Sequence, residues 1–157
     1  MKIDWKKLLI CLGIPLAVGG LAALFTGGGM GDYENLVQPP LSPPGWVFPV
    51  VWTILYLLMG YASYLVLTSG EDPGEIRKAL TLYGWQLLAN FLWPIVYFGF
   101  EWRLVAFFIL IVLWVLIWLT MRAFSKISPR AGDLLLPYIL WVTFAGYLNL
   151  GTYILNR

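Results

Sequence analysis

The sequence predicts an all-α integral membrane protein, a bundle of five transmembrane helices, and three observations support this fold class. Of the 157 residues, 61% are hydrophobic and 11% are charged, whereas soluble domains average about 45–50% and about 25%. The mean hydropathy is +0.80. The charged residues are separated by long uncharged stretches, and about 20 apolar residues suffice to cross a bilayer. A domain of this length cannot hide so much apolar surface from water, so we expect lipid as its solvent.

The composition also excludes several kinds of chemistry. The chain has no histidine and a single cysteine, Cys11. Zinc centres, Ser-His-Asp triads, His-ligated haem and intramolecular disulfides all need residues that are missing. We therefore expect no metal site and no required cofactor, and Cys11 is expected to be a small packing residue. Short connections predict one domain, 1–157, without a nucleic-acid partner.

A proline-rich loop separates the first two predicted spans. The first span, 6–26, follows the charged start MKIDWKK, and no A-x-A cleavage site follows its long apolar run. It is therefore expected to be retained rather than removed as a signal peptide. The segment QPPLSPPGW carries four prolines, which break helices, so 27–45 is expected to be a loop outside the membrane. The second span then covers 46–68.

The other three predicted spans, 76–99, 104–124 and 134–156, lie between short charged connections. The fourth span has no polar side chain before Thr120 apart from its indoles, so we expect it to face lipid or to pack as a wall. In the first span, small residues are spaced so that another helix can approach closely, either within the bundle or in a second copy. These residues are Gly13, Ala17, Gly19 and Ala23.

The basic residues predict the orientation. With five spans, the N-terminus and the second and fourth connections share one side, which holds eight of the ten basic residues. Lysine and arginine accumulate on the cytoplasmic side of a membrane. We therefore expect a bacterial-type plasma membrane with a cytoplasmic N-terminus, and an outer membrane is the alternative. The other side holds only Arg103 and Arg157.

Neutral polar residues recur along one face of the third span. Gln86, Asn90, Trp93 and Tyr97 follow each other at i, i+4, i+7 and i+11, and Pro94 interrupts the backbone hydrogen bonds beside them. One interpretation is that the amides join helices to each other. The other is that Asn90 points into a cavity and orients a ligand, and the spacing leaves both open. No acid or base lies mid-span, which argues against a proton pump or an ion-coupled carrier.

The second and fifth spans carry similar faces. Trp52 and Tyr56 lie a turn or more inside the second span, and the fifth has a stripe made up of Tyr138, Trp141, Ala145, Asn149, Thr152 and Asn156. A small residue between Trp141 and Asn149 leaves room for a flat group. Aromatic rings around small residues suit a planar ligand that a few polar atoms orient.

Three segments together resemble the TspO/MBR family of tryptophan-rich sensory proteins and translocator proteins, the peripheral benzodiazepine receptors. They are PPLSPPGWVFPVVWTILYLLMGYASYLV, WQLLANFLWPIVYFG and LLLPYILWVTFAGYLNLGTYILN. The resemblance covers the whole chain. It implies a five-helix bundle, commonly a homodimer, that binds porphyrins such as protoporphyrin IX or haem, cholesterol and synthetic ligands.

The resemblance also implies a ligand pocket. The family signatures VWxxLY, QLxxNFxWP and PYxxWxxFA place Trp52, Asn90 and Trp141 in it, with Phe144 and Ala145 at its floor. The loop 27–45 is its lid, and the ligand faces Tyr33, Pro43, Pro44 and Gly45. Tyr56, Gln86 and Trp93 complete the expected site.

The chain departs from the family pattern in the lid. Many relatives have a K-P-x-W-x-P-P run, where this chain has Gln38-Pro-Pro-Leu-Ser-Pro-Pro44. Without the basic residue, Gln38 cannot pair with a porphyrin propionate, so tetrapyrrole affinity or lid chemistry is expected to differ. At the C-terminal end, Leu150, Tyr153 and Arg157 fit a proposed cholesterol pattern, which is weak because it matches many helix ends.

Three functions follow from the resemblance. The first is a receptor-like protein that binds porphyrins and is coupled to stress signalling or ligand transport. The second is an enzyme that degrades porphyrin in light, with Trp52 and Trp141 as catalytic residues; lacking a general acid or base, it must work by redox or photochemistry. The third is a tetrapyrrole or sterol transporter, for which no energy-coupling residue is visible.

Overall fold

The computed structural model describes residues 2–26 and 36–157 and shows helices in both ranges. Five of these helices are long: α1 (Trp5–Thr26), α2 (Val47–Leu67), α3 (Pro73–Pro94), α4 (Arg103–Ile127) and α6 (Leu136–Asn156). The short helix α5 (Pro129–Leu134) precedes α6, and a π-helical segment, Ile95–Gly99, follows α3. The helical parts of the five predicted spans are therefore present, with shifted ends.

Proline and a side-chain cap start two of these helices. The Asp72 carboxylate accepts a hydrogen bond from Glu75 N at 3.3 Å, and Pro73 occupies the first turn of α3. Ser128 Oγ likewise accepts from Ala131 N at 3.4 Å, with Pro129 in the first turn of α5. Both arrangements satisfy backbone donors that a helix start leaves open. The third span was predicted to begin at 76 and the fifth at 134, whereas α3 begins at Pro73, three residues earlier, and α6 begins at Leu136, two residues later.

Pro94 changes the winding of the third span. Because proline has no N–H, the carbonyl four residues earlier loses its helical donor. The α-helix ends at Pro94, where the sequence predicted an interruption of the backbone hydrogen bonds, and the chain continues as the π-helical segment to Gly99. The wider winding still leaves Tyr97 buried, with its ring 5.2 Å from that of Trp93.

The long helices form a bundle in which each packs against particular neighbours. α1 lies against α2 and α3, α3 against α4, and α4 against α6. By contrast, α2 and α6 touch at only a few points. Glycine allows the closest approach, because a Cβ at Gly60 of α2 would lie 2.6 Å from the carbonyl oxygen of Cys11 in α1. Cys11 is buried at this contact, as a packing residue.

Four segments are long and apolar enough to cross a membrane, namely Trp5–Thr26, Val47–Leu67, Arg103–Ile127 and Pro129–Asn156. α3 is not among them. Its first turns carry Glu75, Arg77 and Lys78, and its second half carries two amides. The outward faces of the four apolar segments are rich in exposed large side chains, as expected of helices that meet lipid.

Candidate functional site

A chain of buried hydrogen bonds joins α2, α3 and α6. The Tyr56 hydroxyl donates to Asn90 Oδ1 at 2.9 Å, and Asn90 Nδ2 donates to the Tyr138 oxygen at 2.7 Å. The Tyr138 hydroxyl in turn donates to Gln86 Oε1 at 2.6 Å. All four side chains are buried. The amides of α3 therefore do join helices, as one interpretation of the sequence proposed.

A second polar link lies further along α3. Trp93 Nε1 donates to Asn149 Oδ1 at 2.9 Å, and Asn149 Nδ2 donates to the backbone carbonyl of Arg103 at 2.8 Å. Trp93 and Asn149 are both buried. This link ties α3 and α6 to the start of α4.

Asn90 also borders a cavity of about 510 Å³, which we call the central cavity. Its volume lies within the range typical of small-molecule sites, about 300–1,000 Å³. α1, α2, α3 and the π-helical segment supply the lining: Leu16, Gly19, Gly20, Ala22, Ala23, Thr26, Phe48, Pro49, Trp52, Thr53, Tyr56, Asn90, Trp93, Pro94 and Phe98. Both interpretations of Asn90 are thus compatible with its position.

The two sides of the central cavity differ in character. On the α2–α3 side, the Trp52 ring stacks on Tyr56 at 5.7 Å and lies 6.4 Å from the Trp93 ring. The α1 side consists mainly of small residues, and a Cβ at Gly19 would overlap the Tyr56 ring. An aromatic wall, made up of Trp52 and Trp93, therefore faces a wall of small residues, and the two sides touch where Gly19 meets the Tyr56 ring. Aromatic rings beside small residues suit a planar group.

Trp141 lies in a different place. It borders an open groove of about 440 Å³ between α2 and α6, together with Phe144. The Phe48 ring is 5.8 Å from that of Trp141 and also lines the central cavity, so it lies between the groove and the cavity. The expected site thus includes residues of two separate spaces. Membership of Trp141 and Phe144 in one ligand site with Trp52 stays a prediction.

The remaining expected site residues lie around the cavity rather than on its lining. Gln86 and Ala145 are buried and do not line it. Pro43 is half-buried, Pro44 is exposed and Gly45 is buried, in the turn that precedes α2. Tyr33 lies outside the described residues, as does the 27–35 part of the predicted lid.

The described part of the loop is attached to the end of α6. The Tyr147 hydroxyl donates to the Pro40 carbonyl at 2.6 Å, and Val37 N donates to Asn156 Oδ1 at 3.0 Å. Pro39 packs so closely on Gly151 that a Cβ there would lie 2.8 Å from the proline ring. Residues 36–40 therefore lie against the C-terminal half of α6.

Comparison with known proteins identifies the family. The model of the TspO/MBR family matches residues 11–155. The tryptophan-rich protein TspO of Chlorobaculum tepidum is 41% identical over 90% of both chains. The tryptophan-rich sensory protein of Cereibacter sphaeroides is 37% identical over 99% of this chain and 95% of its own. The translocator protein of Bos taurus is 38% identical over 87% of this chain and 82% of its own.

The chain belongs to the TspO/MBR family. With four apolar segments that can each cross a bilayer, this TspO/MBR protein is an integral multi-pass membrane protein. Its membership supports a receptor-like or transporter-like role in the membrane. The family prediction made from the three sequence segments is confirmed.

Sequence reasoning missed one wall of the TspO/MBR central cavity. The small residues of the first span were interpreted only as allowing another helix to approach, yet Gly19, Gly20, Ala22 and Ala23 of α1 line the cavity. Their spacing was noted as a means of helix approach, and the same spacing could have indicated a flat binding surface. Phe48 carried no signal, because nothing in the sequence places it between two spaces.

Proposed function

We propose that this TspO/MBR protein is a receptor-like membrane protein that binds a porphyrin or a similar planar hydrophobic molecule in the central cavity. The observation that carries the proposal is the pairing of an aromatic wall, Trp52 and Trp93, with the small-residue wall of α1. A macrocycle inserted between the walls gains dispersion and stacking contacts on one face and avoids clashes on the other.

Asn90 supplies the orienting polar contact. Its amide has two donor hydrogens and two acceptor lone pairs. Tyr56 occupies one lone pair and Tyr138 takes one hydrogen. A ligand pyrrole nitrogen or carbonyl can therefore meet Asn90 without breaking either bond, and both tyrosines hold the amide in one orientation.

The cavity lining contains no basic residue, so it offers no partner to the propionates of a porphyrin. Gln38 occupies the loop position where many relatives carry a lysine. We therefore propose that the macrocycle is held by stacking and neutral hydrogen bonds, while its carboxylates remain towards the headgroups. A neutral planar ligand should then bind about as well as an anionic one.

Tryptophan fluorescence tests this proposal. Protoporphyrin IX should quench the purified protein in nanodiscs, and Trp52→Leu should weaken its affinity about tenfold, the value of one lost stacking contact. Trp114→Phe is the matched control, because Trp114 lies on the outer face of α4 and bonds Thr143. Equal affinity in the wild type and the Trp52 variant, or equal loss in both variants, contradicts the proposed site.

A second candidate function is light-dependent oxidation of bound porphyrin by dioxygen. Ring centroids run from Tyr56 to Trp52 at 5.7 Å, to Trp93 at 6.4 Å and on to Tyr97 at 5.2 Å. Such a row can pass an electron to or from an excited macrocycle. Illumination should then bleach porphyrin faster in the wild type than in Trp52→Phe and in the double variant that combines Trp52→Phe with Trp141→Phe. Bleaching that is unchanged in the double variant contradicts the role of these tryptophans.

We further propose that α3 also crosses the membrane, which brings the number of spans to five, and that the N-terminus is cytoplasmic. At 1.5 Å per residue its 22 residues extend about 33 Å, enough to cross a hydrocarbon core. Cysteines introduced as Ser69→Cys and Phe100→Cys, each in a Cys11→Ala background, should react with an impermeant maleimide from opposite sides of the membrane. Labelling of both cysteines from the same side would contradict a membrane-spanning α3. The homodimer stays a prediction.

A further inference from the structure

A separate cavity of about 600 Å³ lies where α4 begins and α6 ends, and we call it the headgroup cavity. It shares no lining residue with the central cavity. Its lining is rich in charged and aromatic side chains: Glu101, Trp102, Arg103, Leu104, Val105, Tyr153, Asn156 and Arg157. In a multi-pass protein, a helix end with exposed Trp and Arg lies at the level of the lipid headgroups.

Arg103 is the most constrained cation of this cavity. Its guanidinium lies over the Tyr97 ring, 5.3 Å from the centroid, and its Nε is buried without a hydrogen-bond partner. Within residues 2–26 and 36–157, the only ion pair joins Lys7 to Asp4, at the start of α1. A partly buried guanidinium that pairs with no carboxylate of those residues is costly, and a phosphate or carboxylate oxygen would remove that cost.

Arg157 gives the same cavity a second guanidinium, and it is exposed. Asn156 also lines the cavity, but its side-chain amide already forms hydrogen bonds with the backbone of Val37 and Thr152. The polar groups of the lining that remain for a ligand are thus mainly cationic. Two arginines on the lining of one space suit a phosphate group, which guanidinium groups bind through paired N–H donors.

Glu101 adds one negative charge and an unusual backbone. Its φ is +59°, a left-handed conformation that costs a non-glycine residue energy. Flanking backbone bonds hold the turn in place, with Phe100 N donating to Ile95 O at 3.0 Å and Trp102 N to Val96 O at 3.1 Å. Retained backbone strain of this kind is concentrated at ligand sites. It places Glu101 on the lining of a cavity whose other charged residues are arginines.

We propose that the headgroup cavity binds a phospholipid headgroup that carries an ammonium beside its phosphodiester, as phosphatidylethanolamine does. The phosphodiester is held by Arg103 and Arg157, and the ammonium is held by Glu101. Trp102 and Tyr153 contact the glycerol region, where amphipathic rings are favoured. The acyl chains leave along the apolar outer side of α4, past Leu104 and Val105.

The proposal differs from the weak sterol pattern of Leu150, Tyr153 and Arg157. A sterol hydroxyl is neutral and has no need of Arg103 or of Glu101. The lipid proposal also does not depend on porphyrin binding, because Arg103 and Arg157 are absent from the lining of the central cavity. Protoporphyrin quenching in the arginine variants should therefore match the wild type, and this separates the two proposals.

Native mass spectrometry of the detergent-purified full chain tests the site. Phosphatidylethanolamine, phosphatidylglycerol, diacylglycerol, cholesterol and soluble glycerophosphoethanolamine are titrated separately. We expect phosphatidylethanolamine to be retained at least about fivefold better than diacylglycerol. Arg103→Gln with Arg157→Gln should abolish that preference. Glu101→Gln should lower retention of phosphatidylethanolamine relative to phosphatidylglycerol by about threefold.

The matched control is Arg122→Gln. Arg122 also lies over an indole ring, that of Trp118 at 5.9 Å, but it does not line this cavity. The variant should keep wild-type lipid retention. Equal loss in the control, unchanged retention in the double arginine variant, or diacylglycerol or cholesterol binding as well as phosphatidylethanolamine would overturn the proposal. Binding of glycerophosphoethanolamine as tight as that of the lipid would overturn its assignment to a membrane lipid.

Discussion

Trp93 of α3 donates its indole hydrogen to Oδ1 of Asn149 in α6 over 2.9 Å. One side of this bond lines the central cavity, and the other side continues through Asn149 Nδ2 to the carbonyl of Arg103. A single buried amide therefore holds a ligand-facing ring and the start of α4 in fixed relation. The two hydrogen bonds thus connect the lining of the central cavity to the backbone at the edge of the headgroup cavity.

Asn149→Leu should destabilise the protein by about 1–2 kcal/mol, because it leaves the Trp93 donor buried without a partner and removes the side-chain donor to the Arg103 carbonyl. Thermal unfolding in detergent measures the loss. In a double-mutant cycle, Trp93→Phe added to Asn149→Leu should cost less than the sum of the single changes, since both remove the same bond. Additive losses would mean that the two side chains do not depend on each other.

Tyr138→Phe should be more harmful than its small volume change suggests. The lost hydroxyl both accepts from Asn90 and donates to Gln86, so one deletion leaves two buried amide groups unpaired. We expect a loss of about 2 kcal/mol in unfolding free energy. Tyr61→Phe is the control, because Tyr61 is only partly buried and its ring stacks on Tyr64. Similar unfolding temperatures for both variants would contradict the importance of the hydroxyl.

The sequence was sufficient to predict the bundle and much of its polar interior. Charge spacing located the five long helices, and 3.6-residue periodicity placed Gln86, Asn90 and Trp93 on one face. All three are buried in the structure, as is Tyr97. Local rules of this kind work because they depend on the helix itself. The first residue of α3 was predicted less closely, because the cap at Asp72 starts the helix before the charged residues begin. The short helix α5, which Ser128 caps, was not predicted.

The composition of each cavity could not be predicted from the sequence. Trp52 and Trp141 occupy similar positions in their motifs, but they border different spaces. This outcome depends on how α2 and α6 are rotated and on where the Phe48 ring lies, both of which are set by packing among distant segments. The role of Gly19 also depends on tertiary packing, because the Tyr56 ring of another helix lies against this glycine.

Gly60→Ala should lower the unfolding free energy by about 1–3 kcal/mol, the usual cost of overpacking. The new methyl would lie 2.6 Å from the Cys11 carbonyl oxygen and 2.9 Å from Leu12 Cα, both backbone atoms that cannot turn away. Gly13→Ala in α1 is the control, since nothing lies within 4 Å of a Cβ there. It should be neutral or slightly stabilising, because alanine favours a helix. A stability loss in Gly13→Ala equal to that in Gly60→Ala would contradict the α1–α2 packing.

Phe48→Ala should join the central cavity to the groove that Trp141 borders. Phe48 lines the first space and contacts the Trp141 ring at 5.8 Å, so truncating it removes the partition between them. In the wild type, Trp141→Phe should change protoporphyrin affinity by less than about twofold. In the Phe48→Ala background the same change should weaken binding several-fold, because the enlarged space now includes the indole. If Trp141→Phe weakens binding equally in both backgrounds, then the ligand already contacts Trp141 when Phe48 is present. The two spaces would then act as a single pocket whenever ligand is bound.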